Sequence, residues 1–245
     1  MGTHQVTKLK DKRVVVLGGT SGIGLAVAEA ARAEGSDIVV VSSQPSRVSA
    51  AVTLLGAGVE GYVANLSDET AVEALFGKIG PFDHLVYTAG DSILQSAVEK
   101  TELEDAKNFF DVRFWGAFLA TKHGHKSIRA GGSIVFTSST VPRRPLVGFA
   151  IGASISSAVE AFAVAMAVEL APVRVNVVAP GIVRTPIWDR LPEEQREAFF
   201  ETRGAALPVG RVGEPADVAD AYLCFMRSAY TTGQIVVVDG GMLLV

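Results

Sequence analysis

The residues with the strongest chemical signature are the closely spaced glycines of Leu17-Gly-Gly-Thr-Ser-Gly-Ile-Gly24. They join the apolar run Arg13–Leu17, a predicted strand, to an Ala- and Glu-rich stretch that predicts a helix. Gly18 permits a tight turn, Gly22 lets the backbone approach a pyrophosphate, and Gly24 lets the helix pack close to the sheet. Free N–H groups at the helix start attract phosphates. The segment therefore predicts a dinucleotide site, which also includes Thr20, Ser21 and Ile23.

A second polar segment follows the next predicted strand, Asp37–Val41. A carboxylate at this place binds the adenosine ribose hydroxyls of NAD and repels the 2′-phosphate of NADP. The sequence instead reads Ser-Ser-Gln-Pro-Ser-Arg, which offers hydroxyls and a cation but no carboxylate. We expect NADP(H) to be favoured over NAD(H), with Ser42, Ser43 and Arg47 as contacts. The alternative is that Arg47 is solvated and the site accepts NAD.

Five further motifs occur in order along nearly the whole chain. They are Tyr87-Thr-Ala-Gly90, Gly132-Ser-Ile-Val-Phe-Thr-Ser-Ser139, Asn176-Val-Val-Ala-Pro-Gly-Ile-Val-Arg-Thr185, Gly210-Arg-Val-Gly-Glu-Pro215 and Gly233-Gln-Ile-Val-Val-Val-Asp-Gly-Gly241. Together with the Gly-x-x-x-Gly-x-Gly spacing that begins at Gly18, this order resembles the short-chain dehydrogenase/reductase (SDR) family. An ordered set of this kind is far more specific than a glycine-rich string alone.

The resemblance implies cofactor-binding roles for the matching positions. Asn65 and Leu66 would contact the adenine, although a plain strand end has the same appearance. Ala89 and Gly90 would lie against the cofactor ribose. The nicotinamide would be bound by Pro180, Gly181, Ile182 and Thr185. The last of these could equally cap a helix or turn.

The catalytic positions depart from the family pattern. The resemblance implies an Asn-Ser-Tyr-Lys tetrad, in which Tyr is the general acid or base and Lys lowers its pKa. Ser139 matches the serine, but Gly152 stands at the tyrosine position and Ser156 at the lysine position. Arg113 stands where the asparagine is expected. A positioned proton donor contributes roughly 10²–10⁴ in rate, so the usual mechanism cannot be carried over.

Ser139 and Arg113 remain as the candidate catalytic residues. We expect Arg113 to reach into the space left by the small residues and to bind the nicotinamide ribose or a substrate oxygen. Arginine is a poor proton donor, but it stabilises a developing oxyanion. The alternative is that Arg113 pairs with Asp111 or with solvent. Ser139 would orient the substrate, unless its hydroxyl is satisfied by backbone.

Other residues could complete the site. Tyr87 is either a substitute acid or a structural residue at a strand end. Asp91, Arg143 and Arg144 could line the pocket mouth or lie in solvated loops. The resemblance implies a mobile substrate lid over residues 187–203. Its aromatic residues would face an apolar substrate or pack the lid onto the core; they are Trp188, Phe199 and Phe200.

Two functions are compatible with these residues. The first is an atypical NADP(H)-dependent oxidoreductase that reduces a carbonyl or conjugated acceptor by hydride transfer without the Tyr–Lys pair. A delocalised product anion needs a protein acid less, because water can supply its proton. The second is a non-catalytic NAD(P)-binding protein with a structural or regulatory role. Ser139, the Pro-Gly-x-x-x-Thr motif and the lid favour the enzyme.

The elements that must position these residues alternate strictly between strand and helix. This alternation predicts an α/β fold with right-handed crossovers: one doubly wound, Rossmann-type domain over residues 1–245. Its mainly parallel, seven-stranded sheet would carry helices on both faces. The predicted strands are Arg13–Leu17, Asp37–Val41, Val59–Ala64, His84–Tyr87, Ser133–Thr137, Arg174–Val178 and Ile235–Val238. The predicted helices are Gly22–Glu34, Asp68–Ile79, Thr101–Ile128, Ser154–Leu170 and Pro215–Met226.

The amino-acid composition restricts the kinds of partner that we expect. Of the 245 residues 49% are hydrophobic, and the formal net charge is −4, with no basic run. We therefore expect a small-molecule substrate and no nucleic acid. The resemblance implies a homotetramer or homodimer that pairs the helices Thr101–Ile128 and Ser154–Leu170. The apolar C-terminus Met242–Val245 could form a second contact.

The remaining signals concern location and metals. The N-terminal residues lack the apolar core of a signal peptide, and no apolar run approaches the roughly 18 residues that span a bilayer. We expect a cytoplasmic protein without membrane contact, in which the single cysteine, Cys224, is buried in a helix. His123 and His125 do not share a helix face, so no metal site is expected.

Overall fold

The centre of the molecule is one parallel β-sheet. The computed structural model describes residues 9–90 and 92–245. The strands are β1 (Arg13–Leu17), β2 (Asp37–Ser42), β3 (Glu60–Val63), β4 (Phe82–Tyr87), β5 (Ile128–Thr137), β6 (Arg174–Pro180) and β7 (Ile235–Val238). They lie in the order β3-β2-β1-β4-β5-β6-β7, and every pairing is parallel. This confirms the predicted doubly wound, Rossmann-type fold.

Helices cover both faces of the sheet. They are α1 (Gly22–Ala33), α2 (Pro45–Leu55), α3 (Glu69–Ile79), α4 (Leu103–Phe110), α5 (Gly116–Gly124), α6 (Ala150–Glu169), α7 (Glu193–Ala205) and α8 (Pro215–Arg227). Strand β1 shows why both faces are needed. Val14 and Val16 pack in one core with α1 and α8, whereas Val15 and Leu17 pack in the other with α3 and α6. Because side chains alternate along a strand, an unbroken apolar run fills two cores.

The sheet order reverses beside β1. The chain passes from β1 outward to β2 and β3, and then returns to place β4 on the other side of β1. In open α/β sheets, ligands bind at such a switch point, outside the carboxyl ends of the strands. Gly18 follows β1 and Thr88 follows β4 at this edge.

The predicted helix Thr101–Ile128 corresponds to a run of helical residues from Leu103 to Gly124. A π-helical turn over Asp111–Trp115 separates α4 from α5. The Tyr87 hydroxyl, at the end of β4, donates a hydrogen bond to the carbonyl of Val112 in this turn. A Cβ built on Gly116 would collide with the same hydroxyl, so glycine makes the close approach possible. Turns of this kind occur as single insertions in helices, frequently at functional sites.

Two other expectations fail for local reasons. The sequence patterns miss α2, which begins at Pro45, a favoured first helical residue. Cys224 is exposed rather than buried. It lies one turn after the exposed Asp220, whereas α8 buries the face that carries Tyr222 and Leu223.

Helix α6 is more apolar than expected. By length and composition alone, it could cross a membrane, against the expectation that no such run exists. In this fold it packs on β5 and β6 through Ile155, Val159 and Ala163, which are at most 2% exposed. Its other side carries Val164 and Val168, which are 43% and 79% exposed.

Candidate functional site

A cavity of about 840 Å³ opens at the edge where the sheet order reverses. Every residue predicted to bind the cofactor borders it: Gly18, Thr20, Ser21, Gly22, Ile23, Gly24, Ser42, Ser43, Arg47, Asn65, Leu66, Ala89, Gly90, Pro180, Gly181, Ile182 and Thr185. The two candidate catalytic residues, Arg113 and Ser139, border it as well. Motifs that are distant in sequence therefore meet in one concave site.

The turn after β1 leaves no space for a side chain at Gly18 or Gly24. Gly18 has a φ of +88°, and a Cβ on it would lie 2.7 Å from the backbone nitrogen of Ala89. A Cβ on Gly24 would collide with the carbonyl of Gly18. Ser21 is the N-cap residue of α1, but its side chain makes no capping hydrogen bond. Its hydroxyl and the free N–H groups of α1 therefore fit the pyrophosphate of a dinucleotide.

The ends of β2 and β3 form the neighbouring part of the wall. Ser42 and Ser43 border the cavity beside Arg47, which is exposed. Within residues 9–90 and 92–245, Arg47 has no acidic partner. Asn65 is also exposed, and its Oδ1 accepts a hydrogen bond from the backbone of Ser67 at 3.1 Å. These residues fit the adenosine half of a dinucleotide, with a cation available for a phosphate.

The segment after β6 forms the opposite wall. A Cβ on Gly181 would lie 2.8 Å from Cα of Asp239, so this backbone is tightly packed. Cγ2 of Thr185 would lie 3.2 Å from a Cβ on Gly22, the first residue of α1, so the two walls meet here. Thr185 precedes a 3₁₀ turn over Pro186–Trp188, but its side chain makes no capping hydrogen bond. The hydroxyl is not used as a turn cap.

The predicted lid, residues 187–203, contains part of that turn and most of α7. Trp188 and Phe199 border the cavity, with ring centroids 4.8 Å apart. Phe200 is 3% exposed and packs against both rings. The lid thus presents two aromatic rings to the cavity and anchors itself with the third. Arg203, one turn after Phe199, also borders the cavity and was not predicted from the sequence.

Ser139, which closely follows β5, meets Ser156 of α6. Their hydroxyl oxygens are 2.8 Å apart. The backbone N–H of Val141 donates to Ser139 Oγ at 3.3 Å. Backbone therefore satisfies only part of the hydrogen-bonding capacity of Ser139, and both serines border the cavity. Gly152 borders it one helical turn before Ser156.

Arg113 projects from the π-helical turn to the cavity wall. Its guanidinium carbon lies 3.9 Å from the centroid of the Phe109 ring. A Cβ on Gly90 would lie 3.2 Å from Nη2, and this nitrogen donates to the carbonyl of Ser92. The guanidinium is therefore packed between an aromatic ring and the backbone after β4. From the sequence, Phe109 was expected only as part of a helix surface, although a spacing of four residues places it beside Arg113 on a helix.

Tyr87 is a structural residue. It is 3% exposed, and its hydroxyl donates to Val112 in the π-helical turn. Burial raises the pKa of Tyr87 far above its usual value of 10. A phenol in this state is a poor proton donor, so the substitute-acid hypothesis for Tyr87 is wrong.

The charged side chains that border the cavity are all cationic. Among the described residues they are Arg47, Arg113 and Arg203, and no Asp, Glu, Lys or His borders it. Such a wall favours anionic groups on a ligand. The described part of the wall contains no side chain whose ordinary pKa would suit proton donation near neutral pH.

The residues expected at the pocket mouth are engaged elsewhere. Arg143 forms two hydrogen bonds with the carboxylate of Glu160, at 2.8 and 3.0 Å. Arg144 donates to the carbonyl of Met242. Neither arginine borders the cavity and both are exposed, so the structure favours the alternative of a solvated loop over a place at the pocket mouth. Asp91 lies outside the described residues.

The two closely spaced histidines take part in local contacts. His123 Nε2 lies 3.1 Å from Glu69 Oε1, and His125 Nδ1 lies 2.9 Å from the carbonyl of Thr121. In the part of the chain that the structure describes, no group of three or more His, Cys, Asp or Glu residues could hold a metal ion.

Comparison with known proteins identifies the family. Residues 18–243 match the family model described as enoyl-(acyl carrier protein) reductase. The chain is 37% identical to the short-chain dehydrogenase/reductase ucsE of Acremonium sp, with all of both proteins covered. This chain belongs to the short-chain dehydrogenase/reductase family. It is also 32% identical to the mouse 3-oxoacyl-[acyl-carrier-protein] reductase, over 96% of this chain and 99% of that protein.

Solved structures of the family have the same fold. A small-chain dehydrogenase in complex with NADPH is 38% identical, with a TM-score of 0.85 over 96% of this chain and 100% of that one. The MalC reductase/Diels-Alderase of Malbranchea aurantiaca is 29% identical, with a TM-score of 0.90 over 97% and 98% of the two chains. The family and the glycine-lined site together support an oxidoreductase that uses an NAD(P)-type dinucleotide.

Proposed function

We propose that this short-chain dehydrogenase/reductase is an NADPH-dependent reductase of conjugated acceptors, such as enones or quinones, and that it works without a Tyr–Lys pair. The observation that carries the proposal is the described cavity wall: three arginines, no carboxylate or lysine, and a tyrosine whose hydroxyl is engaged in the core. NADPH, when bound, supplies the hydride. The chain itself must hold the acceptor, stabilise the charge that develops on it and admit a proton from water.

The missing acid selects the class of acceptor. Hydride addition to a simple ketone creates a localised alkoxide, which requires a proton donor close by. Hydride addition to the β-carbon of an enone creates a delocalised enolate, and water can then protonate the α-carbon. The acceptor gains one hydride, from the bound cofactor, and one proton, from water. A site with Gly152 and Ser156 where a phenol and an ammonium are usual therefore favours conjugated acceptors.

Arg113 and Ser139 are the proposed catalytic residues. Arg113 is held by Phe109 and the carbonyl of Ser92, so its guanidinium needs little reorganisation to receive negative charge. Ser139 receives a hydrogen bond from Val141 and can donate its own proton to the acceptor oxygen. Together they would stabilise the enolate oxygen without transferring a proton to it.

The preference for NADPH over NADH is part of the proposal. It is supported by the exposed Arg47, which has no acidic partner within the described ranges, and by the hydroxyls of Ser42 and Ser43. No described carboxylate borders the cavity to repel a 2′-phosphate. The 38% identical structure that contains NADPH points in the same direction.

The test is NADPH oxidation, followed at 340 nm, against a panel of ketones, diketones, enones and quinones. Wild type is compared with Arg113→Met and with Arg129→Met, a control whose arginine pairs with Asp83 away from the cavity. We expect turnover of conjugated acceptors, and a fall in kcat/KM of about 100-fold or more in Arg113→Met alone. The Kd for NADPH should remain similar in all three proteins.

The panel also tests the competing function. The same missing acid is compatible with a non-catalytic NAD(P)-binding protein. Tight NADPH binding without turnover of any acceptor would favour that function and reject the reductase. Turnover that survives in Arg113→Met would reject the catalytic role of Arg113 and leave Ser139 and water.

The proposal includes a homodimer or homotetramer. Trp115 and Phe118, in the predicted helix Thr101–Ile128, are 51% and 38% exposed, and Val168 on α6 is 79% exposed. Phe114 and Phe162 join these helices, with ring centroids 5.9 Å apart. An aromatic and aliphatic surface of this kind is typical of an interface between subunits.

A further inference from the structure

The side of α6 that faces the cavity carries small and aliphatic residues. They are Gly152, Ile155, Ser156 and Val159. Spacings of three and four residues place them on one helix face. Ser156 contacts Ser139, and Gly152 lies one turn closer to the start of the helix. The wall beside the proposed substrate-orienting hydroxyl is therefore formed by a residue with no side chain.

Gly152 differs from the glycines of the cofactor turn. Gly18 has a left-handed φ, and a Cβ on Gly24 would collide with backbone. Gly152 has no such φ, and a Cβ built on it would meet only Cδ1 of Phe149, at 3.9 Å. Backbone geometry thus does not require glycine at position 152, and glycine destabilises a helix relative to alanine. What glycine contributes here is open space.

This space has an aromatic boundary. Phe149 approaches Gly152 from the residue before α6, and Trp188 and Phe199 of the lid border the same cavity. Aromatic side chains pack favourably against flat rings through offset or edge-to-face contacts. The polar end of the space is the Ser139–Ser156 pair, where a carbonyl oxygen can accept a hydrogen bond.

We propose that the space beside Gly152 receives an aromatic ring of the acceptor, so that Gly152 determines the size of the substrate that reaches Ser139. For turnover, the inference rests on the proposed function. The binding of an aryl enone can be tested without it. An aryl enone such as chalcone directs its carbonyl to Ser139 and one ring to Phe149. A side chain at position 152 would occupy the volume of that ring.

The test measures binding and turnover separately. The protein is loaded with NADP⁺, which has no hydride to transfer, and chalcone is titrated while tryptophan fluorescence is followed. The variants are Gly152→Ala and Gly152→Val, with Gly77→Val as a matched control. Gly77, like Gly152, is a helical glycine. A Cβ built on Gly77 has nothing within 4 Å, and Gly77 does not border the cavity. NADPH oxidation is then measured with chalcone and with the small enone methyl vinyl ketone.

We expect Gly152→Val to raise the Kd for chalcone by about 10-fold or more and Gly152→Ala by a smaller factor, since single groups in a fitted pocket change discrimination by roughly 10–200-fold. Turnover of methyl vinyl ketone should fall far less than turnover of chalcone, and the Kd for NADPH and the melting temperature should stay close to wild type. Gly77→Val should bind chalcone as wild type does. If Gly152→Val does not fold, Gly152→Ala carries the test.

Three results would overturn the inference. They are unchanged chalcone binding in the Gly152 variants, a parallel loss of NADPH affinity, and no chalcone binding by the wild-type protein. Failure of the proposed reductase has a different signature: chalcone binding still depends on the size of residue 152, but no acceptor is reduced. That result supports the space beside Gly152 as a ligand site and rejects only the reaction.

Discussion

The hydroxyl oxygen of Ser139 lies 2.8 Å from that of Ser156, and both residues border the cavity. Ser139 Oγ already accepts a hydrogen bond from the backbone of Val141. If Ser156 donates to the second lone pair of Ser139, the Ser139 proton is left for a group in the cavity. Ser156 is then a positioning residue, which acts on the substrate only through Ser139.

This relationship predicts an ordered pair of effects. Ser139→Ala should lower kcat/KM for an enone by about 10- to 100-fold, because it removes a donor to the developing oxyanion. Ser156→Ala should cost less, about 3- to 10-fold, because Val141 still orients Ser139. The double variant should resemble Ser139→Ala. Steady-state kinetics with matched NADPH affinities checks the order, and a larger loss in Ser156→Ala than in Ser139→Ala contradicts it.

Arg47 should determine the choice between the two nicotinamide cofactors. Arg47→Ala should raise KM for NADPH by about 10-fold or more and leave KM for NADH nearly unchanged, because a hydrogen bond between charged groups contributes about 1.5–3 kcal/mol. NADH thus serves as the internal control within one variant. Equal changes for both cofactors would mean that Arg47 is solvated and does not contact a 2′-phosphate.

Tyr87 should affect stability and not proton transfer. Tyr87→Phe removes the hydroxyl that donates to the carbonyl of Val112, which should cost about 0.5–1.5 kcal/mol of unfolding free energy. Urea unfolding measures this loss. The pH dependence of kcat should keep its shape, since the hydroxyl is buried and its pKa is raised beyond the working range. The disappearance of a limb of that profile would restore Tyr87 as an acid.

The sequence predicts the fold well because local patterns determine it. An unbroken apolar run such as that of β1 must be covered on both faces, and the glycines after it meet local backbone limits. The π-helical turn between α4 and α5 could not be predicted in this way. It accepts a hydrogen bond from a hydroxyl at the end of β4, 25 residues earlier in the chain.

The candidate site, like the fold, could be predicted only in part. All the predicted cofactor residues border the cavity, because ordered motifs indicate the turns that form it. Arg203 and Phe109 border it too, but no motif indicates them. Their side chains border the cavity because α7 and the end of α4 lie at its wall. Such placements require the tertiary structure.

We expect the exposed side of α5 and α6 to form an interface between subunits. The wild-type protein should elute with two or four times the chain mass of 25.7 kDa in size-exclusion chromatography with light scattering. Val168→Glu places a charge in the proposed interface and should shift the protein toward smaller species. Leu54→Glu is the control, because Leu54 is 64% exposed on α2, a different helix. A monomeric wild type would reject the interface.

His84 should make the folded state sensitive to acid. It is 3% exposed, and its Nδ1 lies 2.9 Å from Ser133 Oγ. Burial, and next the positive charge of Arg174, lower the pKa of His84 from 6.5 to about 4. The neighbouring carboxylate of Asp83 opposes this shift, but it is engaged by Lys12 and by other donors.

The direction in which stability changes with pH depends on whether the folded or the unfolded state binds the proton. Between pH 6.5 and 4 the unfolded chain protonates this imidazole and the folded chain does not, so the contribution of His84 to stability falls as the pH falls. The full loss is about 3 kcal/mol. At pH 7.5 the His84→Asn variant should be less stable than wild type, because the substitution removes the contact with Ser133. By pH 4.5 most of this difference in unfolding free energy should have disappeared. Urea unfolding at pH 7.5, 6.0, 5.0 and 4.5 measures both proteins. The carboxylates titrate equally in the two proteins. Parallel curves of unfolding free energy against pH would therefore show that His84 does not couple folding to pH.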